Sequence, residues 1–390
     1  MMVINDKYNC CGCGACYQVC PQSCISMKYD DEGFFYPHTN TDLCTNCSLC
    51  ELTCPTKNDV CNIHPQDTFV SYSLIDNIRQ KGSSGGLFQT IAEYVIRSGG
   101  IVFGARFDQN WNIIHDYTDT IKGITAFCGS KYLQSNTGNS YKQSKSFLDK
   151  GKMVLYSGTP CQIYGLKKYL RKEYANLITI DFVCHGVPSP KVWQSYLDYS
   201  ISKKGISRQK IAHISFRDKC TGWKRYSLTI KDDQGTKAST PFKKSSYMQL
   251  FLRNFILRPS CYNCRFKNGT NISDITLGDF WGVTDIRPDL DDDKGLSILL
   301  VNSPKGMEIV SKQTSIICNP MPLSECIHKN PSYNEAVTEP ADRPLFWNEF
   351  NQDGFVGAIK FLKKNQPSTF SILKYKIKTI FRSLSHKSAL

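Results

Sequence analysis

One cysteine spacing occurs twice near the start of this chain and constrains it more than any other feature. Cys10-x2-Cys13-x2-Cys16-x3-Cys20-Pro21 is followed, 34 residues on, by Cys44-x2-Cys47-x2-Cys50-x3-Cys54-Pro55. A two-residue gap lets a tight loop present three sulfurs to three corners of a cube, and proline ends the turn so that the fourth ligand can cross over. Eight thiolates in this run hold two 4Fe–4S cubanes, the fourth cysteine of each repeat serving the other cluster. The spacing therefore predicts Cys10, Cys13, Cys16 and Cys54 on one cluster, and Cys44, Cys47, Cys50 and Cys20 on the second. The alternatives are a disulfide framework or structural zinc, but zinc sites usually show two separated CxxC pairs. A chain so built moves electrons one at a time.

The rest of the composition fits a reducing, cytoplasmic setting. Eleven of the 19 cysteines fall before residue 62, in ligand spacing rather than scattered as a disulfide scaffold. The first residues, MMVINDKYNC, show no basic region followed by an apolar run, so no signal peptide is expected. No stretch approaches the roughly 18 consecutive apolar residues of a spanning helix. At 390 residues there is room for two or three domains with substantial cores. Charge divides unevenly: residues 1–65 hold seven acids against Lys7, Lys28 and Lys57, a net of −4, whereas the whole chain is +14, leaving +18 for the remainder. An acidic head on a basic body predicts docking by opposite fields. The positive charges form no groove with interleaved stacking aromatics, so no nucleic-acid partner is expected.

Beyond a short linker at 63–67, Ser83-Ser84-Gly85-Gly86 leads into LFQTIAEYVIRSGG, where Leu87, Ile91 and Val95 mark one helical face. A Gly/Ser loop opening a helix exposes backbone N–H groups and suits the pyrophosphate of a flavin or nucleotide; such loops are also often only caps. IVFGARF and NIIHDYT then alternate around Asp108–Trp111 as a hairpin. MVLYS (153–157) and LITIDFV (177–183) read as buried strands, each followed by a turn and a helix, with Thr159 as cap and Pro160 at the first helical position. Consecutive βα units imply parallel strands, whose carboxyl ends bind ligands in open α/β sheets. Cys161 and Cys184 sit just past those ends, and Cys261-x2-Cys264 lies downstream. These four thiols could enclose a third 4Fe–4S cluster; equally, Cys161 and Cys184 could be core thiols and the CxxC pair a zinc or redox site. Cys11, Cys24, Cys61, Cys128, Cys220, Cys318 and Cys326 have no ligand spacing and read as packing residues. Trp223 and Trp281 could cover a planar cofactor, or simply be core.

Seven strings occur here in the order of a known family: SSGGLF, SKYLQS, YSGTPCQIYGLK, DFVCHGVPSPKVW, FRDKCTGW, LRPSCYNCRF and DITLGDFWG. Together they resemble the beta subunit of coenzyme F-420 (deazaflavin) hydrogenases and dehydrogenases, over about residues 68–305, with a bacterial-type two-cluster ferredoxin head fused in front. The resemblance implies FAD, lined by Ser83, Ser84, Gly85, Gly86, Lys131, Tyr132, Ser157, Gly158, Thr159 and Pro160. It also implies that Cys161, Cys184, Cys261 and Cys264 ligate the third cluster beside it. Where the family pattern leads us to expect an arginine before DITLGDFWG, this chain reads Asn268-Gly269-Thr270-Asn271-Ile272-Ser273. The resemblance extends to fused chains of bacteria lacking the deazaflavin, including polysaccharide-synthesis contexts, so the organic acceptor it implies could be deazaflavin-like or linked to polysaccharide biosynthesis.

The expected fold is mixed α+β and α/β: a ferredoxin-like head over 1–64, then an α/β flavin-binding body with parallel βα units over 68–150 and 151–330, then a basic tail over 331–390. The expected function is that of an iron–sulfur flavoprotein oxidoreductase, taking single electrons from a ferredoxin-type carrier or a partner subunit and passing them to FAD and a small organic acceptor. The alternatives are an electron-transfer subunit with no substrate of its own, or a redox-sensing module. His185 could donate a proton or merely orient its neighbours, so no catalytic acid or base is assigned. From Gly354 to Leu390 there are eight Lys or Arg and no acid, and Leu373, Ile377, Ile380 and Leu384 follow helical spacing. That pattern predicts an amphipathic basic helix able to lie on an anionic membrane, dock on a partner or pack on its own body.

Overall fold

The computed structural model describes residues 6–60, 63–270 and 272–365. Residues up to Pro340 form one compact unit, and Ala341 onward a second. In the first unit the head carries a hairpin, β1 (Ile25–Tyr29) and β2 (Phe35–Thr39), with Ile25 opposite Thr39. A large sheet then begins with β3 (Asp67–Ser73), β4 (Ile101–Phe107), β5 (Ile113–Thr118), β6 (Ser135–Asn136), β7 (Val154–Ser157) and β8 (Leu177–Phe182). A separate antiparallel sheet follows, made of β9 (Ile211–Asp218), β10 (Ser227–Asp232) and β11 (Lys237–Pro241). The chain then returns with β12 (Ile275–Asp279), β13 (Ser297–Val301) and β14 (Ile316–Pro320) to complete nine strands in the order β14-β3-β13-β12-β8-β7-β4-β5-β6.

The middle of that sheet, β4-β7-β8-β12, is parallel, as two successive βα units require. Its strands are buried on both faces, which explains their unbroken apolar runs. Side chains alternate across it: Phe103 and Tyr156 enter one core with Tyr141 and Leu166, while Val102 and Leu155 enter the other with Leu87, Ile91 and Val95. The expected hairpin is β4–β5, with Phe107 opposite Ile113. The fold is thus mixed α/β with a parallel centre, extended by the antiparallel strands β13, β3 and β14. The sheet draws its strands from both of the segments 68–150 and 151–330.

The head repeats its backbone as well as its cysteines. Gly12 and Asn46, one residue before the second cysteine of each run, are left-handed at φ 69° and 55°. Gly14 and Ser48, one residue after it, are left-handed at 74° and 60° and open the helices Ala15–Val19 and Leu49–Leu52. The two loops curl alike, yet only the first needs glycine. A Cβ on Gly12 would lie 2.5 Å from Gln134 Nε2, and one on Gly14 would lie 2.5 Å from Thr137 Oγ1. The first loop is pressed against the body; the second is not and accepts larger residues.

The second unit holds the helix Arg343–Lys364, broken at Gly354, whose φ of 57° is not helical. The amphipathic tail expected around Leu373–Leu384 lies outside the described residues. No helix among the described residues is long and apolar enough to cross a membrane.

Candidate functional site

The twelve cysteines singled out by spacing and motif are gathered around three small cavities. Cys10, Cys13, Cys16 and Cys54 line the first, with Cys11 beside them. Cys20, Cys44, Cys47 and Cys50 line the second. Cys161, Cys184, Cys261 and Cys264 line the third, again with Cys11. The grouping in the head follows the crossed pattern of the motif, each fourth cysteine joining the other loop. No group of three or more His, Cys, Asp or Glu side chains among the described residues is arranged around one metal ion. In the head, this grouping is the one that the dicluster spacing requires.

Two thiols read as packing residues belong to these walls. Cys24 Sγ lies 3.3 Å from Cys20 Sγ in the second cavity. Cys11 lines both the first and the third cavity, between its neighbours Cys13 and Cys161. Their spacing carried no signal because each is placed by the turn of its loop rather than by the ligand rhythm. Burial, reinforced by Cys161 and Cys264 and opposed by Lys267, pushes the Cys184 thiol up to about 12. Thiols held this way ionise readily only against a strong local cation, as an iron core supplies.

The third cavity is ordered by the βα turns and by the downstream CxxC loop. Cys161 is the second residue of the helix Pro160–Leu170, whose start is fixed by a reciprocal pair: Thr159 accepts from the backbone, and the Gln162 side chain accepts from Thr159 N at 3.0 Å. Lys267 Nζ donates to the carbonyls of Cys184 and Ser332, and so stands as a cation in this wall. His185 is held between Ser332 Oγ at 3.2 Å and Asn254 Oδ1 at 2.8 Å, with its pKa lowered by burial. That geometry is an orienting one; both ring nitrogens are engaged.

Against the sheet's carboxyl edge opens a cavity of about 650 Å³. Ser83, Ser84, Gly86, Lys131, Tyr132, Ser157, Gly158 and Thr159 line it. Gly85 lies behind the loop, its N–H donating to Ser297 Oγ at 2.9 Å, and Pro160 faces the third cavity instead. Lys131 is turned inward: its ammonium caps the carbonyls of Phe127, Cys128 and Gly129 at 3.0–3.2 Å, and burial lowers its pKa to about 8. The Ser83–Gly86 loop is fixed by Lys219, whose ammonium donates to Arg79 O, Ser84 O and Lys294 O. Tyr132 stacks on Phe251 with ring centroids 4.9 Å apart, and Trp281 lies flat on Trp223 at 4.8 Å.

One lining residue escaped the sequence reading. His115 Nε2 donates to Ser157 O at 3.1 Å, its ring stacks on Tyr156, and its Nδ1 has no hydrogen-bond partner although buried. Burial pushes its pKa down to about 4, so the ring is neutral, with the proton on Nε2 and an acceptor at Nδ1. The cavity thus provides glycine-bordered backbone, aromatic faces and one buried acceptor, features that fit a flavin.

Asp181 lines the same cavity and accepts from Thr276 Oγ1 at 2.5 Å. Burial pushes its carboxyl up to about 7 from 3.8. The fold therefore keeps a proton that the unfolded chain has lost, and stability falls as pH rises through that window. Asp181→Asn is expected to raise the melting temperature at about pH 8 and to leave it unchanged near pH 3, where the carboxyl is protonated in both states. Thermal melts of both proteins across that range check this; an equal effect at both ends would contradict it.

Two family models match parts of this chain, one in the body and one in the head. The family model for the C-terminal part of the coenzyme F420 hydrogenase/dehydrogenase beta subunit matches residues 151–318, and the 4Fe–4S dicluster domain matches residues 9–58. An uncharacterized ferredoxin of Methanocaldococcus jannaschii is 39% identical over 54 residues, spanning 14% of this chain and 69% of its own length. A chain of the F420-reducing NiFe hydrogenase complex of Methanosarcina barkeri aligns over 78% of this chain and 94% of its own length, at 18% identity and a TM-score of 0.47. With the two cysteine-lined cavities of its head and a body that matches across the Cys161, Cys184 and Cys261–Cys264 turns, the chain carries a 4Fe–4S dicluster domain over residues 9–58 and, over residues 151–318, the C-terminal domain of the coenzyme F420 hydrogenase/dehydrogenase beta-subunit family.

Proposed function

We propose that this chain is a cytoplasmic iron–sulfur flavoprotein oxidoreductase. Cys10, Cys13, Cys16 and Cys54 hold one 4Fe–4S cluster and Cys20, Cys44, Cys47 and Cys50 a second. Cys161, Cys184, Cys261 and Cys264 hold a third, and the large cavity takes FAD. When bound, the clusters would carry single electrons and the flavin would pair them for transfer to an organic acceptor.

The observation that carries this reading is that the four cavities adjoin in series: the two head cavities meet through packed cysteines, and the later pairs share walls. Cys16, Cys50 and Cys54 pack together between the two head cavities. Cys11 and Thr56 line both the first head cavity and the third cavity. Cys184, His185, Gly186 and Val187 line both the third and the large cavity. A continuous route of small gaps is what stepwise electron transfer requires, whereas clusters serving only structure need no such order.

The chain's own residues then have distinct tasks. Cys47 is exposed, and Leu43 and Leu52 are 56% and 64% exposed nearby, which suits electron delivery by a ferredoxin-type carrier or partner subunit at the second head site. His115 and the Gly158 turn orient the flavin. Tyr226, Phe242 and Trp281 offer flat faces at the cavity wall to a planar, deazaflavin-like acceptor.

Anaerobic rapid mixing with a reduced ferredoxin tests the scheme. Iron–sulfur bleaching should precede flavin bleaching, with one electron gained per cluster. Flavin reduction that keeps its rate when the head cysteines are replaced would overturn it.

A further inference from the structure

We propose that Arg258 is the buried counter-charge of the head site formed by Cys10, Cys13, Cys16 and Cys54, and that it raises the reduction potential there above that of the site formed by Cys20, Cys44, Cys47 and Cys50. This rests on the cluster assignment of the preceding section and adds a direction to it: an electron on the head rests on the side facing the body.

Arg258 comes from the body yet is wholly buried in the first head loop. Its Nε donates to Cys10 O at 2.6 Å, its Nη1 to Gln134 Oε1 at 2.9 Å, and its Nη2 to Phe35 O at 2.9 Å. Nη2 also lies 3.5 Å from Cys10 Sγ. The guanidinium sits over the Tyr36 ring at 4.1 Å and the Phe34 ring at 5.5 Å. None of these partners is a carboxylate. A buried guanidinium without an anion is costly, and it persists where an anionic group completes the site. Four thiolates around an iron–sulfur core supply that negative charge, and one more is added on reduction.

The placement is specific to one head site. Among the described residues, no lysine or arginine lines the second head cavity. Arg258 is also locked to the third cavity: its N–H donates to Val187 O at 3.0 Å and its carbonyl accepts from Cys261 N at 2.9 Å. Gln134 closes the same junction, its Nε2 donating to Cys11 O at 3.2 Å. A fixed cation this close favours the more negative, reduced state, and in a low-dielectric site little water screens it.

The test is a redox titration of the full-length, iron-loaded chain, followed by electron paramagnetic resonance. In Arg258→Gln, one head signal should become at least tenfold harder to reduce, about 59 mV for a one-electron couple, while the other head signal stays in place. Arg258→Lys keeps the charge and should restore most of the shift. Gln134→Glu sets a carboxylate against Nη1 without changing the side chain's shape, and should move the same signal in the same direction. Gln134→Glu decides the matter where Arg258→Gln loads iron poorly. Unmoved midpoints in the iron-replete variants would overturn the role of Arg258 while leaving the cluster assignment standing. A wild-type head without its iron would instead remove the assignment itself.

Discussion

Serine at Cys161 or Cys264 will lower bound iron by about four per chain and leave the eight of the head in place. The two residues reach the third cavity from different parts of the chain, one from the turn after β7 and the other from the CxxC loop, and both line it with Cys184 and Cys261. A cubane that loses one thiolate is held by three, and the serine hydroxyl is a poor substitute at neutral pH. The head should be untouched because its ligands line separate cavities. Electrons should still reach the head in either variant, yet flavin reduction should slow severely, since the shared wall of Cys184 to Val187 then borders an empty site. Iron analysis beside single-turnover flavin bleaching reads both effects. Unchanged iron in both variants would mean that these thiols are packing or zinc residues.

His115→Phe should weaken FAD binding by roughly 1–3 kcal/mol, about five- to 150-fold, the cost of leaving a buried donor unpaired. Phenylalanine keeps the stack on Tyr156 but removes both ring nitrogens, so the loss includes the Nε2 bond to Ser157 O, and the pH profile singles out the acceptor at Nδ1. The ring's pKa of about 4 adds a second signature. Affinity of the wild type should hold steady from about pH 8 down to about pH 6, and weaken as pH falls toward 4, where Nδ1 gains a proton and ceases to accept. The phenylalanine variant should lack that acid limb. Fluorescence titration of the flavin-stripped protein with FAD gives both quantities, and equal affinities with equal pH profiles would remove His115 from the site.

Much of this was legible in the sequence, for reasons that differ by element. The head could be read because ligand spacing follows from the covalent reach of a loop around a cube, and the repeated left-handed residues at Gly12, Gly14, Asn46 and Ser48 carry the same requirement. The β4–β5 hairpin and the parallel β7–β8 pair could be read because their signals lie within a few residues of each other. The antiparallel strands β13, β3 and β14 could not, since β3 pairs with segments more than 200 residues away. Arg258 and His115 were invisible for a related reason. Neither has a periodic companion, and Arg258 meets Cys10 across 248 positions. The cavity walls formed by Cys11 and Cys24 show the limit of motif reading: spacing identifies ligands but not the thiols packed beside them.

The most direct test of the account is the iron, sulfide and flavin content of the full-length chain purified without oxygen and reconstituted with iron, sulfide and FAD. The three proposed clusters and the proposed flavin site predict about twelve iron, twelve sulfide and one FAD per chain. About eight iron with no retained flavin, or zinc in place of iron, would contradict it.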